Sequence, residues 1–320
     1  MPFLKHIRIF FAAVLLGLPA GAAAPEGLSV RQRLQADVNC LCDTLFTGRG
    51  TSTPGGVLTA WWLADRFREA GLEAPDGLYT RSWVLPDGTT GHNVVGWRPC
   101  AAHPERFILI AAHFDNLGVL KGRMYPGADS NASGVAALLE LVRTLKGIPA
   151  GILFVALDGK GRDMAGSRAL WEQLDAGGLR EPGSGRVLSP GNLRLMVNLE
   201  QMGSTLTPLK SGRKDYLVML GRESLPRKAR GLELRCNPPS TGLELAFDYY
   251  GSRDFTRLFY QKVGDQRIFV EHGKSAVVFT SGITMNTNRT YDLPATLDYG
   301  ILERRIAFIA RWLRTAAPLL

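Results

Sequence analysis

The chain has 320 residues, 45% of them hydrophobic and 21% charged, with a formal net charge of +9. This is ordinary globular composition, without internal repeat or low-complexity stretch, and it excludes a disordered or multi-spanning chain. The basic residues are scattered, with the densest groups at Arg227-Lys228-Ala229-Arg230 and at Arg304-Arg305 with Arg311 and Arg314; they read as solvated faces, so no nucleic-acid partner is expected.

Residues 1–24 have the pattern of a secretory signal. Lys5, His6 and Arg8 precede an apolar run from Ile9 to Leu18, and Ala20-Gly21-Ala22 or Ala22-Ala23-Ala24 supplies small residues for cleavage. The run is short for a transmembrane helix, and no cysteine follows it to carry a lipid. The expectation is an exported protein, periplasmic or secreted, with no membrane anchor after cleavage. Loss of Lys5 and Arg8 with the leader lowers the net charge to +7. One domain over residues 25–320 is the economical reading of the remainder.

Residues 29–46 predict a helix, with Ser29 as N-cap and Val30, Leu34, Val38, Leu41 and Leu45 on its apolar side. A loop over residues 51–56 leads to a second helix over 57–70, ended by Gly71. Strand-like runs follow from Leu78 to Leu85 and from His92 to Trp97, separated by Pro86-Asp87-Gly88. His92 reads as a structural residue. Further buried strands are expected over Phe107–Ala112, Ile152–Leu157, Leu193–Leu199, Tyr216–Leu220 and Ser275–Thr280. Helices are expected from Val135, over Ala165–Leu174, over 222–234 and over 298–316, and a surface loop over 175–191. Strands alternating with helices imply a mostly parallel sheet covered on both faces. Cys40 and Cys42 lie two apart on a helix and should not bridge each other; pairings with Cys100 and Cys236 stay open. No Cys-x-x-Cys unit exists for a zinc ribbon.

The chain is organised around Phe107 to Gly134. A strand delivers His113 and Asp115 at its end, and a turn delivers Asp129 immediately before a helix. An imidazole and a carboxylate at the carboxyl edge of an open sheet are natural ligands for a borderline cation. His113-Phe-Asp115 and Gly127-Ala-Asp129-Ser-Asn-Ala-Ser-Gly134 resemble the signature of the co-catalytic di-zinc aminopeptidases, the bacterial leucine aminopeptidase type of zinc exopeptidase. Gly166-Ser167, Val197 to Gly203 and Asp292 to Tyr299 agree in order and spacing, so the resemblance runs over roughly residues 30–316. It implies a three-layer α/β/α sandwich with a central mixed, mostly parallel sheet, of the phosphorylase/hydrolase type.

By that resemblance, His113, Asp129 and Glu200 form one altered zinc site, and Asp115 orients His113. The second site departs from the pattern. Lys160 stands at the general-base position, Gly161 at one ligand position and Asn288 at another, and Gln266 replaces a neighbouring histidine. Asp158, Asp163 and His272 are the available substitutes. Lys160 reads either as an exposed loop lysine or as an ammonium in the second metal position that neutralises Asp129. The expectation is at most one zinc ion, or none. The chain would then act by binding a peptide or protein ligand; the alternative is an active zinc aminopeptidase using one metal or a rearranged pair.

Overall fold

A computed structural model describes residues 27–206, 209, 211–238 and 242–320; the leader expected at residues 1–24 lies outside them. Helix α1 (Val30–Leu41) opens with a capping box, Ser29 accepting from the Gln32 N–H while the Gln32 side chain accepts from the Ser29 N–H. It stops earlier than expected. A 3₁₀ segment covers Thr44–Arg49, and Leu45 is 42% exposed rather than on the apolar side. Helix α2 (Pro54–Glu69) starts three residues before the expected 57, because Thr53 accepts from the Gly56 N–H and Pro54 takes the first helical position. Gly55, expected in the loop over 51–56, lies inside the helix and is a packing requirement: a Cβ there would lie 2.1 Å from the Phe46 carbonyl oxygen.

The strands among the described residues are β1 (Thr80–Val84), β2 (Thr90–Arg98), β3 (Phe107–His113), β4 (Gly118–Leu120), β5 (Arg123–Tyr125), β6 (Gly151–Leu157), β7 (Leu193–Glu200), β8 (Tyr216–Leu220), β9 (Glu244–Ala246) and β10 (Ala276–Thr280). Eight form one sheet in the order β1-β2-β6-β3-β7-β10-β8-β9, and β4 and β5 form a separate hairpin. The four central strands β6, β3, β7 and β10 are mutually parallel, while β1, β2 and β8 pair with their inner neighbours antiparallel. The mixed, mostly parallel centre is therefore present. All seven residues of β3 and of β6 are buried, as strands covered on both faces must be.

Alternate β3 residues divide the core. Ile108, Ile110 and Ala112 pack toward α1, α2, α3 (Ser133–Thr144) and the last helix, and Phe107, Leu109 and Ala111 pack toward α4 (Ala165–Asp175) on the other face. The result is a three-layer α/β/α sandwich. Residues 222–234 are not one helix. Pro226 and Gly231 break them into 3₁₀ turns at Arg222–Ser224 and Arg227–Ala229 and a single helical turn at Leu232–Arg235. Helices α5 (Arg253–Lys262) and α6 (Gln266–Glu271) lie in a stretch whose order the sequence does not reveal. The closing helix α7 (Tyr299–Ala316) begins at Asp298, which accepts from the Ile301 N–H. The four cysteines are free.

Candidate functional site

Because β3, β6 and β7 run parallel, their carboxyl ends bring His113, Asp158 and Glu200 to one edge of the sheet. The turn before α3 is built from outside. Asp292 accepts the N–H groups of Asp129 at 2.9 Å and Ser130 at 3.1 Å. The fully buried Arg49 donates to the carbonyls of Leu41, Phe114, Pro126 and Gly127, fastening this turn to the end of α1 and to the residue after β3. Asn131 donates to the carbonyls of His113 and Leu199 and accepts from the Gln201 N–H, so one side-chain amide ties β3 to β7. Neither Arg49 nor Asn131 emerged from sequence. Asn131 lay inside the signature, but nothing in its spacing showed that its amide would span two strands.

A cleft of about 290 Å³ opens at this edge. His113, Asp115, Lys160, Gly161, Glu200 and Asn288 line it, with Leu117, Phe259, Val263 and Ile283 as apolar wall. Asp129 adjoins the cleft through its lining neighbour Ser130 and is buried. Its Oδ1 accepts from Ser133 Oγ at 2.9 Å and the Gly203 N–H at 2.8 Å, while Oδ2 is buried with no hydrogen-bond partner. Burial pushes its pKa up.

His113 Nδ1 lies 3.0 Å from the Asp115 backbone carbonyl and 3.5 Å from Asp115 Oδ1. A carbonyl only accepts, so Nδ1 carries the proton and Nε2 presents its lone pair to the cleft. The Asp115 carboxylate accepts from the N–H groups of Lys160 and Gly161 and from Thr51 Oγ1. Burial alone would raise its pKa, but His113 and these N–H groups hold it below its ordinary value.

Lys160 departs from both expectations. It is neither an exposed loop lysine nor a partner of Asp129. Its ammonium forms a hydrogen-bonded ion pair with Glu200 Oε1 and lies 3.2 Å from His113 Nε2; the two side chains of the pair are 22% and 2% exposed. The reason is the turn at 159–164. Gly159, Asp163 and Met164 all take positive φ there, and the Lys160 N–H bonds Asp115, which aims the stem inward. Burial lowers the Lys160 pKa to about 8, against the opposing charges of Asp265 and Asp115. Gly161 and Asn288 both reach the cleft wall, and a Cβ on Gly161 would meet nothing within 4 Å.

The substitute ligands are placed otherwise. Asp158 turns to Thr51 Oγ1 and the His92 N–H. Asp163 pairs with Arg168 and Arg267 on the surface. His272 stacks on Trp171 with ring centroids 4.2 Å apart. His92 lies in β2 with its Nδ1 2.9 Å from Ser82 Oγ, as a structural residue would.

Comparison with known proteins agrees with this architecture. Solved structures of similar fold include LapB from Legionella pneumophila, at TM-score 0.63 and 15% identity over 90% of this chain and 74% of that one. They also include the zinc aminopeptidase BSAP from Bacillus subtilis, at TM-score 0.65 and 13% identity over 89% and 95%. The glutaminyl cyclase of Fimbriiglobus ruber matches at TM-score 0.63 and 14% identity, over 89% and 94%. In sequence, the alkaline phosphatase isozyme conversion protein of Escherichia coli is 30% identical over 149 residues, which span 41% of this chain and 43% of that protein. The family model of Peptidase family M28 matches residues 93–295, nearly two thirds of the sequence and every residue of the cleft, and the chain belongs to that family.

Proposed function

We propose that this chain is an exported M28-family protein that binds a peptide or protein segment in its cleft without zinc and turns over aminoacyl substrates poorly or not at all. The family implies zinc, and the residues present do not fit a zinc pair. The observation that carries this reading is Lys160. Its ammonium stands against His113 Nε2 and Glu200 Oε1, two atoms a metal would need, and a cation there repels a dication. Gly161 offers no side-chain ligand and Asn288 only an amide, so of the side-chain carboxylates and imidazoles a second ion would keep Asp129 alone. Among the described residues, no group of three or more His, Cys, Asp or Glu is placed to hold a metal ion. A charged ammonium also cannot accept the proton that a general base must take.

Binding is supported by the cleft itself, whose apolar wall of Leu117, Phe259, Val263 and Ile283 lies beside polar Gln201, Thr287 and Asn288. No helix among the described residues is long and apolar enough to cross a membrane. Export rests on the leader pattern of residues 1–24, and a mature N-terminus near residues 23–25, read by mass spectrometry of the envelope or secreted fraction, tests it. One observation favours the alternative of a working one-zinc hydrolase: the buried Asp129 Oδ2 has no hydrogen-bond partner. Elemental analysis beside an aminoacyl-nitroanilide assay with added zinc decides. The expected result is less than one zinc per chain and no zinc-dependent turnover. Two zincs with ordinary peptidase rates would overturn the proposal.

A further inference from the structure

We propose that the cleft takes an acidic peptide: an extended segment whose apolar side chain enters the cleft while aspartate or glutamate residues on either side of it meet a basic rim. This rests on the peptide-binding reading above and names the class of peptide.

The apolar surface does not end at the cleft. Phe259 on α5 and Val263 just past its end both stand in the wall. Phe255, one turn earlier, shares the face of Phe259, is exposed, and carries the wall on by about 6 Å. Elsewhere on the rim, the lining residue Leu117 leads into the β4–β5 hairpin, where Val119 and Leu120 are exposed. Apolar side chains thus continue from the cleft in two directions, and only a ligand longer than one residue covers them.

Charge selects what flanks the apolar anchor. The acids of the cleft are already engaged: Asp115 accepts from the Lys160 and Gly161 N–H groups, and Glu200 pairs with the Lys160 ammonium. The rim is basic. Residues 116–125 and 281–291 carry Lys121, Arg123 and Arg289 and no aspartate or glutamate. Helix α5 ends on Lys262, beside the lining residue Val263. These four cations are exposed, and among the described residues none of them forms an ion pair. The exposed acids on the segments that carry Gly161 and Phe259 are neutralised in place, Asp163 by Arg168 and Arg267 and Asp254 by Arg257. A rim of one sign around an apolar cleft attracts ligands of the opposite sign and turns away those of its own.

Asn288 supplies the contact to a main chain. It is exposed in the cleft wall, and its side-chain amide makes no hydrogen bond among the described residues, so it can offer both a donor and an acceptor to a peptide bond laid across it. A flat lipid surface would leave that amide and the 290 Å³ recess beside it unfilled, which favours a peptide.

The test is fluorescence anisotropy on the full chain with a chelator present. The probes are short labelled peptides with a central leucine flanked by acidic, serine or lysine residues, and an acidic peptide with a central serine. The acidic leucine peptide should bind about tenfold more tightly than the serine-flanked one at low salt and lose that advantage as salt rises, with the lysine-flanked peptide weakest. The central serine should also weaken binding. Lys262→Glu with Arg289→Glu should reverse the order of acidic and lysine flanks. Arg123→Glu, on a separate element, should shift it in the same direction and serves if the double variant does not fold; thermal midpoints report folding. If the leucine peptides bind equally whatever their flanks, the acidic class is wrong and the peptide-binding reading stands. If no peptide binds, both fail. If phosphatidylglycerol vesicles bind the chain in a way that the same charge reversals abolish, and acidic peptides do not, the rim serves a membrane and the inference is overturned.

Discussion

Lys160 and Glu200 form a buried ion pair at the floor of the cleft, and the pair is asymmetric. Glu200 is almost wholly enclosed at the end of β7, while Lys160 reaches it from a turn that remains partly open to solvent. Removing the lysine therefore strands a carboxylate, while removing both charges strands nothing. Lys160→Ala should cost on the order of 3 kcal/mol in urea unfolding near neutral pH, and adding Glu200→Gln should recover much of it. Strictly additive costs in the double variant would show that the two charges do not communicate.

Restoring the family's ligands should recreate a two-metal site. Gly161 has open space where a Cβ would go, and Asn288 already lies in the cleft wall. The combination Lys160→Glu, Gly161→Glu and Asn288→His should raise zinc toward two per chain by elemental analysis. Asn288 has φ 60, a conformation asparagine accepts more readily than most residues, so its replacement should cost about 1 kcal/mol of stability. A triple variant that folds and still holds no zinc would mean that Asp129 is not placed to bridge.

Asp158 should make stability depend on pH. Burial, and then the charge of Asp115, raise its pKa from 3.8 to about 7. Between those values the folded protein holds a proton that the unfolded chain has released, so stability falls as pH rises from about 4 to about 7 and levels off above. A tenfold change in proton affinity is worth about 1.4 kcal/mol, so this group contributes up to about 4 kcal/mol of that decline. Asp158→Asn keeps an oxygen to accept the His92 N–H, offers an amide N–H to Thr51 Oγ1, and removes the titration. Denaturant midpoints at pH 5 and pH 7.5 should then differ less in the variant than in wild type; parallel pH profiles would exclude the assignment.

Arg49 should be intolerant even of lysine. Its planar fork reaches four carbonyls on three segments, and no single ammonium can replace that geometry. Arg49→Lys should lose on the order of 3 kcal/mol, since each buried carbonyl left unpaired costs about 1–3 kcal/mol. Amide exchange should rise first in residues 127–131, because Arg49 holds the turn from which Asp129 projects. Unchanged exchange there would place the arginine's role elsewhere.

The strands were legible because the centre of the sheet is buried on both sides. β3, β6, β7 and β10 read as short continuous apolar runs, and the signature residues sit at their ends. Helix α5 was not legible, since Phe259 is its only buried residue and two of its other apolar side chains, Phe255 and Leu258, are exposed. The substitutions at Gly161 and Asn288 could be seen in sequence, but the destination of Lys160 could not. Which carboxylate its ammonium meets is decided by a turn with three positive-φ residues, two of them not glycine, and spacing carries no record of that. Likewise Asp158 ends a strand that enters the site, yet its side chain is claimed by Thr51 and the His92 N–H before it can reach the cleft.

The strand order has a consequence for how the cleft is made during synthesis. β10, late in the sequence, inserts between β7 and β8 and is parallel to the first and antiparallel to the second. Until residues 276–280 arrive, the strand that carries Glu200 has one side unpaired, and β8 and β9 have no sheet to join. A nascent or truncated chain ending before β10 therefore carries two open, apolar strand edges at once, the form most prone to pair with another copy. The last helix adds a second late requirement, because Arg305 on α7 donates to the carbonyls of Met202, Ser204 and Tyr216 and locks the segment after β7 onto β8. The cleft is thus finished from the C-terminal side, and a stop codon just before β10 leaves both the sheet and the cleft wall incomplete.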